Sequence, residues 1–229
     1  MNIFTGLLSP KVIYETESKY NGNIKVVEFG DVRRLVVDNI SQSISPHSPH
    51  THKLYWGKMI HLLKENFTHL NEVLLLGLGG ATLVHLIHQE FPDVTTTSVE
   101  IDQTMVDIAN NYFNLSTVAN NRIIVDDALR VVIEPHNFDI RENQFNVVIV
   151  DIYVGEKYPD LGKTGNFIGN LKKLVAPEGM IIFNRIYREH HQEEVNIFIE
   201  YVSEFFSDVK SLVVAGYTNS DNVLIYAKV

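Results

Sequence analysis

The chain has 229 residues, 45% of them hydrophobic and 21% charged, a balance that fits one main domain and a small appendage around a real core. A net charge of −9 argues against a nucleic-acid partner, which needs clustered Lys and Arg, and is compatible with a cationic or neutral substrate. With no cysteine, no evident secretory signal and no apolar run near about 18 residues, disulfides, thiolate metal sites and membrane spans are excluded and a cytoplasmic setting is expected.

Residues 1–45 read as a small antiparallel β-domain. Lys11–Thr16, Ile24–Phe29 and Arg33–Asp38 are β-rich runs, and Asn21-Gly22 and Gly30-Asp31 are hairpin turns between them. Residues 46–71 read as a linker and a leading helix. Ser41–His52 carries two prolines and many small polar residues and is expected to be loop. Lys53–Glu65 then sets Leu54, Met59, Leu62 and Leu63 at helical spacing.

From Glu72 onward strands alternate with helices, which predicts a parallel α/β sheet over residues 72–229. The expected strands are Glu72–Leu76, Thr95–Glu100, Arg122–Val125, Asn146–Asp151, Met180–Arg185, Lys210–Ala215 and Asn222–Lys228. The expected helices are Thr82–Glu90, Gln103–Tyr112, Ala128–Glu134, Thr164–Val175 and His190–Phe206. Gly216–Asp221 is too short for a helical crossover, so the last two strands should be antiparallel neighbours. In the final helix Ile197, Phe198, Tyr201, Val202 and Phe205 form a stripe expected to face the core.

The chemistry gathers at strand ends. Glu72–Leu76 runs into Gly77-Leu78-Gly79-Gly80-Ala81-Thr82, and Glu100 ends the next strand, 23 positions after Gly77. Glycines let backbone N–H groups approach a nucleotide, and a strand-end acid accepts hydrogen bonds from ribose hydroxyls. Thr82 stands where a dinucleotide fingerprint wants Gly or Ala. After Arg122–Val125 come Asp126-Asp127-Ala128, where a carboxylate could accept from an adenine amino group or simply cap the helix. Gly, then Glu, then Asp at successive strand ends resembles the class I S-adenosylmethionine-dependent enzymes. The expected fold is therefore a seven-stranded, Rossmann-like class I methyltransferase sheet with an N-terminal β-domain. Expected cofactor contacts are Gly77, Gly79, Gly80, Glu100, Ile101, Asp127 and Ala128.

Three stretches, Leu35–Ser43, Leu74–Leu83 and Ser98–Phe113, together with the N-terminal β-domain, resemble the spermidine synthase family of polyamine aminopropyltransferases. The resemblance implies that Gln42 helps bind the nucleoside end of the cofactor, that Glu100 and Asp127 hold ribose and adenine, and that Asp151 is catalytic. It also implies a homodimer. Two departures bear on the substrate. Gly80 stands where the family carries an acid in its first loop, and Val154 replaces a second acid after Asp151. The family's Tyr-His pair appears as Tyr55-Trp56. Stripping an ammonium of water without a partner costs several kcal/mol, so loss of two acids points from diamine recognition toward methyl transfer. The cofactor is then S-adenosylmethionine, with the acceptor a small molecule or a peptide-borne nucleophile. The alternatives are aminopropyl transfer from decarboxylated S-adenosylmethionine, and a non-catalytic adenosyl-binding or scaffold protein.

Residues 153–162 follow a central strand where open α/β sheets bind ligands, which makes Tyr153 and Tyr158 candidate substrate contacts. His47, His50 and His52 lack a completing ligand and are expected to bind no metal. His85 and His88 are read as structural.

Overall fold

The computed structural model describes residues 9–153, 167–187, 192–216 and 221–229. Strands β1 (Lys11–Ser18), β2 (Gly22–Phe29), β3 (Val32–Val37) and β4 (Ile40–Ile44) form an antiparallel sheet in that order. β4 corrects the loop expected from Ser41: Ser41 pairs with Val36, and Ser43 with Leu35. Its small polar residues hide the strand from a propensity reading. What makes it is a tight turn at Asp38 and Asn39, both at positive φ, which returns the chain onto β3. The inner face of this sheet, Ile24, Val26, Leu35 and Val37, packs on Met105, Ile108 and Phe113. The appendage is thus welded to the main domain by burial, each such aliphatic side chain contributing about 1.5–3 kcal/mol.

A single 3₁₀ turn at Thr51–Lys53 leads into α1 (Tyr55–Asn66). The main domain then runs β5 (Glu72–Leu76), α2 (Thr82–Glu90), β6 (Thr95–Glu100), α3 (Gln103–Phe113), β7 (Asn121–Val125), α4 (Ala128–Ile133) and β8 (Phe145–Val150). It continues with α5 (Phe167–Leu174), β9 (Val175–Tyr187), α6 (Gln192–Ser203), β10 (Lys210–Val214) and β11 (Asp221–Lys228). The sheet order is β10-β11-β9-β8-β5-β6-β7. β11 is antiparallel to both of its neighbours, and the remaining pairings are parallel. This is the class I methyltransferase sheet, with the small antiparallel sheet beside it.

Alternation along β5 explains the layers. Val73 and Leu75 join the core under α1 and α2, while Leu74 and Leu76 join the core under α5 and α6. A central parallel strand covered on both faces reads as a continuous apolar run. The strand order reverses between β5, which leads on to β6 and β7, and β8, which leads to β9. The crevice at that reversal, beyond the strands' carboxyl ends, is where such sheets receive ligands.

Two expectations change. Val175 opens β9 rather than ending the preceding helix, because it pairs with Phe145. Ile197 is 58% exposed, outside the buried stripe of α6, whose Val195 and Val202 are buried while Phe198, Tyr201 and Phe205 are half-buried against the sheet. Residues 164–166 and 190–191 of the expected helices lie outside the described residues.

Candidate functional site

At the reversal lies a cavity of about 200 Å³. One half of its wall comes from the ends of β5, β6 and β7. Gly77 turns the chain at φ +94°, and its N–H donates to Val99 O. A Cβ at Gly77 would lie 2.2 Å from Asp151 O, so only glycine fits between β5 and the end of β8. Glu100 is 9% exposed. Leu78 N donates to its Oε2 at 3.2 Å and Asp102 N to its Oε1 at 3.0 Å. Burial pushes this carboxyl above its usual range against the pull of those N–H donors, and the negative Asp102 adds to the rise. Asp126, Asp127 and Ala128 complete this side. Asp127 both lines the cavity and caps α4, its Oδ1 accepting from Leu129 N at 2.8 Å, and Asp126 pairs with Arg130.

The other half is assembled from distant segments. Asp151 follows β8, half-buried, with its N–H donating to Leu76 O. Tyr55 on α1 donates from its hydroxyl to Asp151 Oδ2 at 3.0 Å, across 96 positions of sequence. Asn184 on β9, 1% exposed, donates from Nδ2 to Asp151 Oδ1 at 2.7 Å. Asn222 on β11 donates to Asn184 Oδ1 at 3.0 Å, which fixes the Asn184 amide with its donor toward the carboxylate. Tyr153 OH donates to Asn184 O at 2.8 Å. Burial raises the Asp151 carboxyl above its usual range, opposed by the bonds from Asn184 and Tyr55. The Tyr55 hydroxyl is raised well above its usual value, by burial first and the Asp151 charge second.

The N-terminal sheet reaches the same cavity twice. The β1–β2 hairpin tip supplies Tyr20 and Asn21, and β4 supplies Gln42 and Ser43. Asp102, the N-cap of α3 and 4% exposed, clasps the hairpin: Ser18 Oγ and Asn21 Nδ2 both donate to its Oδ2, the latter at 2.8 Å, and Thr104 N donates to its Oδ1. Burial pushes the Asp102 carboxyl up, but the bonds from Ser18, Asn21 and Thr104 outweigh it and hold it below its usual range. β4 is stitched to the glycine loop by Gly80 N on Ser43 Oγ at 2.7 Å and by Thr82 Oγ1 on Ile44 O at 2.8 Å.

Of the residues singled out in the sequence, Gln42, Gly77, Gly79, Glu100, Ile101, Asp127, Ala128, Asp151 and Tyr153 line this one cavity. Gly80 does not: it sits behind Ser43. Tyr158 lies outside the described residues. Sequence reasoning passed over Ser43, Asn184 and Asn222, which carry no local motif, and gave Tyr55 no role. Away from the cavity, His47 Nε2 meets Asp31 O, His85 Nε2 meets Phe113 O and His88 Nε2 meets Thr96 Oγ1. Burial lowers the pKa of both His85 and His88. Among the described residues no helix is long and apolar enough to cross a membrane.

Residues 52–229 match the family model described as the spermine/spermidine synthase domain. An eEF1A lysine and N-terminal methyltransferase homolog of Drosophila pseudoobscura pseudoobscura is 31% identical over 121 residues, covering 52% of this chain and 18% of the relative. A "Probable polyamine aminopropyl transferase" of Bifidobacterium longum is 24% identical over 221 residues, covering 94% of this chain and 46% of the relative. The chain thus spans less than half the length of either. Among solved structures, that of a probable spermidine synthase from Corynebacterium glutamicum superposes with a TM-score of 0.76 at 16% identity, over 95% of this chain and 80% of the other. At that identity the likeness speaks for the fold.

Proposed function

The chain belongs to the spermine/spermidine synthase domain family, and on that premise we propose that it is an S-adenosylmethionine-dependent transferase that methylates a small-molecule or peptide-borne nucleophile. The observation carrying this reading is that one cavity wall holds both Glu100 and Asp151.

The residues fit an adenosyl group. The Glu100 oxygens accept from the backbone N–H groups of Leu78 and Asp102, and a carboxylate has further lone pairs for ribose hydroxyls. Gly77 and Gly79 give the wall no side chain, and Asp127 stands at the adenine end. When bound, S-adenosylmethionine supplies a methyl carbon made electrophilic by its sulfonium. This chain's part is to hold the acceptor at Asp151, whose two oxygens are kept in place by Tyr55 and Asn184. Most of the acceleration then comes from orientation. A carboxyl raised by burial is also a better base toward an acceptor proton.

Methyl transfer is favoured over aminopropyl transfer by Gly80, which brings no acid to the first loop, and by the methyltransferase relative. Family membership and the Bifidobacterium longum relative support the aminopropyl alternative.

One experiment separates the readings. The protein is incubated with S-adenosylmethionine and a panel of amines and lysine peptides, and S-adenosylhomocysteine release is measured; a parallel arm supplies decarboxylated S-adenosylmethionine and putrescine. Methyl transfer predicts release in the first arm, and about 10²-fold less with Asp151→Asn at unchanged ligand affinity. Efficient spermidine formation with no release in the first arm would replace this reading with the aminopropyl one. Bound ligand with neither product would make the protein a binding module.

A further inference from the structure

Ser43 is 3% exposed, lines the cavity and accepts the Gly80 N–H at 2.7 Å. A hydroxyl that accepts one bond still has its own proton to donate. Among the described residues no acceptor takes it, and a buried donor without an acceptor is costly. A ligand oxygen in the cavity would satisfy it.

The place of Ser43 on the wall says which oxygen. With the adenine end at Asp127 and the ribose at Glu100 beside Gln42, the remaining arm of an adenosyl ligand would run along the glycine loop, where Ser43 Oγ stands 2.8 Å from the place of a Cβ at Gly79. The loop's own donors are engaged: Leu78 N and Gly79 N on Glu100, Gly80 N on Ser43, Ala81 N on Leu78 O. Among the described residues of the wall there is no Lys, Arg or His, so an anion at this end depends on neutral donors. We infer that Ser43 donates to the carboxylate of the methionine arm and thereby selects S-adenosylmethionine over its decarboxylated form. This inference rests on the methyl-transfer reading.

The same side chain keeps an acid out of position 80. A Cβ built at Gly80 lies 2.8 Å from Ser43 Cβ and 3.4 Å from Phe113 Cδ2. Ser43 therefore fills the space through which an acidic side chain at 80 would reach an ammonium.

Calorimetry with three probes tests the assignment: S-adenosylhomocysteine carries the carboxylate, S-adenosyl-3-thiopropylamine lacks it, and methylthioadenosine lacks the whole arm. Wild type should bind S-adenosylhomocysteine more tightly than the thiopropylamine. Ser43→Ala should weaken S-adenosylhomocysteine about 10-fold while the other two stay within about twofold. Ser43→Cys, nearly the same size and a poor donor, should do the same with the loop packing kept. An equal loss for all three probes in both variants would make Ser43 only a brace for the loop, and no loss at all would also overturn the inference. A wild type that prefers the thiopropylamine overturns it in favour of the decarboxylated cofactor. Binding of none of the three by folded wild type overturns the methyl-transfer reading itself.

Discussion

The two halves of the cavity are held together at very different sequence distances. On the adenosyl side, Leu78 reaches Glu100 across 22 positions, and Glu100 reaches Asp102 across two. On the acceptor side, Asp151 is held by Tyr55 across 96 positions and by Asn184 across 33, with Asn222 a further 38 away. The first half is built by three consecutive strands, β5, β6 and β7, with their two crossover helices. The second exists only when α1, β8, β9 and β11 have all docked. This three-strand stretch can thus be kept while the distant partners of Asp151 are changed, which is how one fold serves different acceptors.

The most damaging test of this division is Gly77→Ala, because Gly77 is where the halves touch. A methyl group at φ +94° and 2.2 Å from Asp151 O forces β5 and β8 apart. We expect a loss of about 3 kcal/mol or more in urea unfolding, with both halves impaired. A stable variant that loses only one half's function would break the comparison.

Glu100→Ala should act on one half alone. Losing charge-assisted bonds to ribose should weaken S-adenosylhomocysteine by about 10- to 100-fold in calorimetry. Unchanged affinity in a folded variant would remove Glu100 from the ribose role. The mirror test is Asn222→Ala, which frees the Asn184 amide to turn. It should lower stability by about 1 kcal/mol and leave adenosyl-ligand affinity within about twofold; a large affinity loss would mean that the halves are not separable.

The smallest expected effect is a pH dependence. Asp102 has a depressed carboxyl in the folded state. Its contribution is therefore present above the unfolded value of about 3.9 and is lost as pH falls through the folded one. Glu100 and Asp151 are raised, so their cost operates above their folded values and is relieved as pH falls. Urea midpoints measured down an acid series should thus fall less steeply in Asp102→Asn than in wild type, with a neutral-pH loss of about 0.5–1 kcal/mol from the weakened clasp, since Asn caps a helix as well as Asp. A parallel decline in both proteins would separate the clasp from the acid response.

Particular residues show how far the sequence could be read. Glu72–Leu76, Thr82–Glu90 and Thr95–Glu100 are found with the bounds their patterns predict, since apolar runs punctuated by glycine and proline specify elements locally. β4 was illegible because Ile40–Ile44 is held by its pairing with β3 and by Thr82, neither of which leaves a local trace. Val175 escapes a local reading for the same reason: its partner Phe145 lies 30 positions back.

The sequence by itself determined the βαβ unit, the parallel sheet with its terminal hairpin, and the strand-end acids Glu100, Asp127 and Asp151, because spacing and periodicity encode what neighbours along the chain will do. Only the tertiary structure decided that Ser43 covers Gly80, that Asn222 orients Asn184, and that Tyr55 holds Asp151. Those contacts join segments 37 to 96 positions apart, and a hydrogen bond across such a gap is set by how sheets and helices pack, not by any pattern a local reading can see.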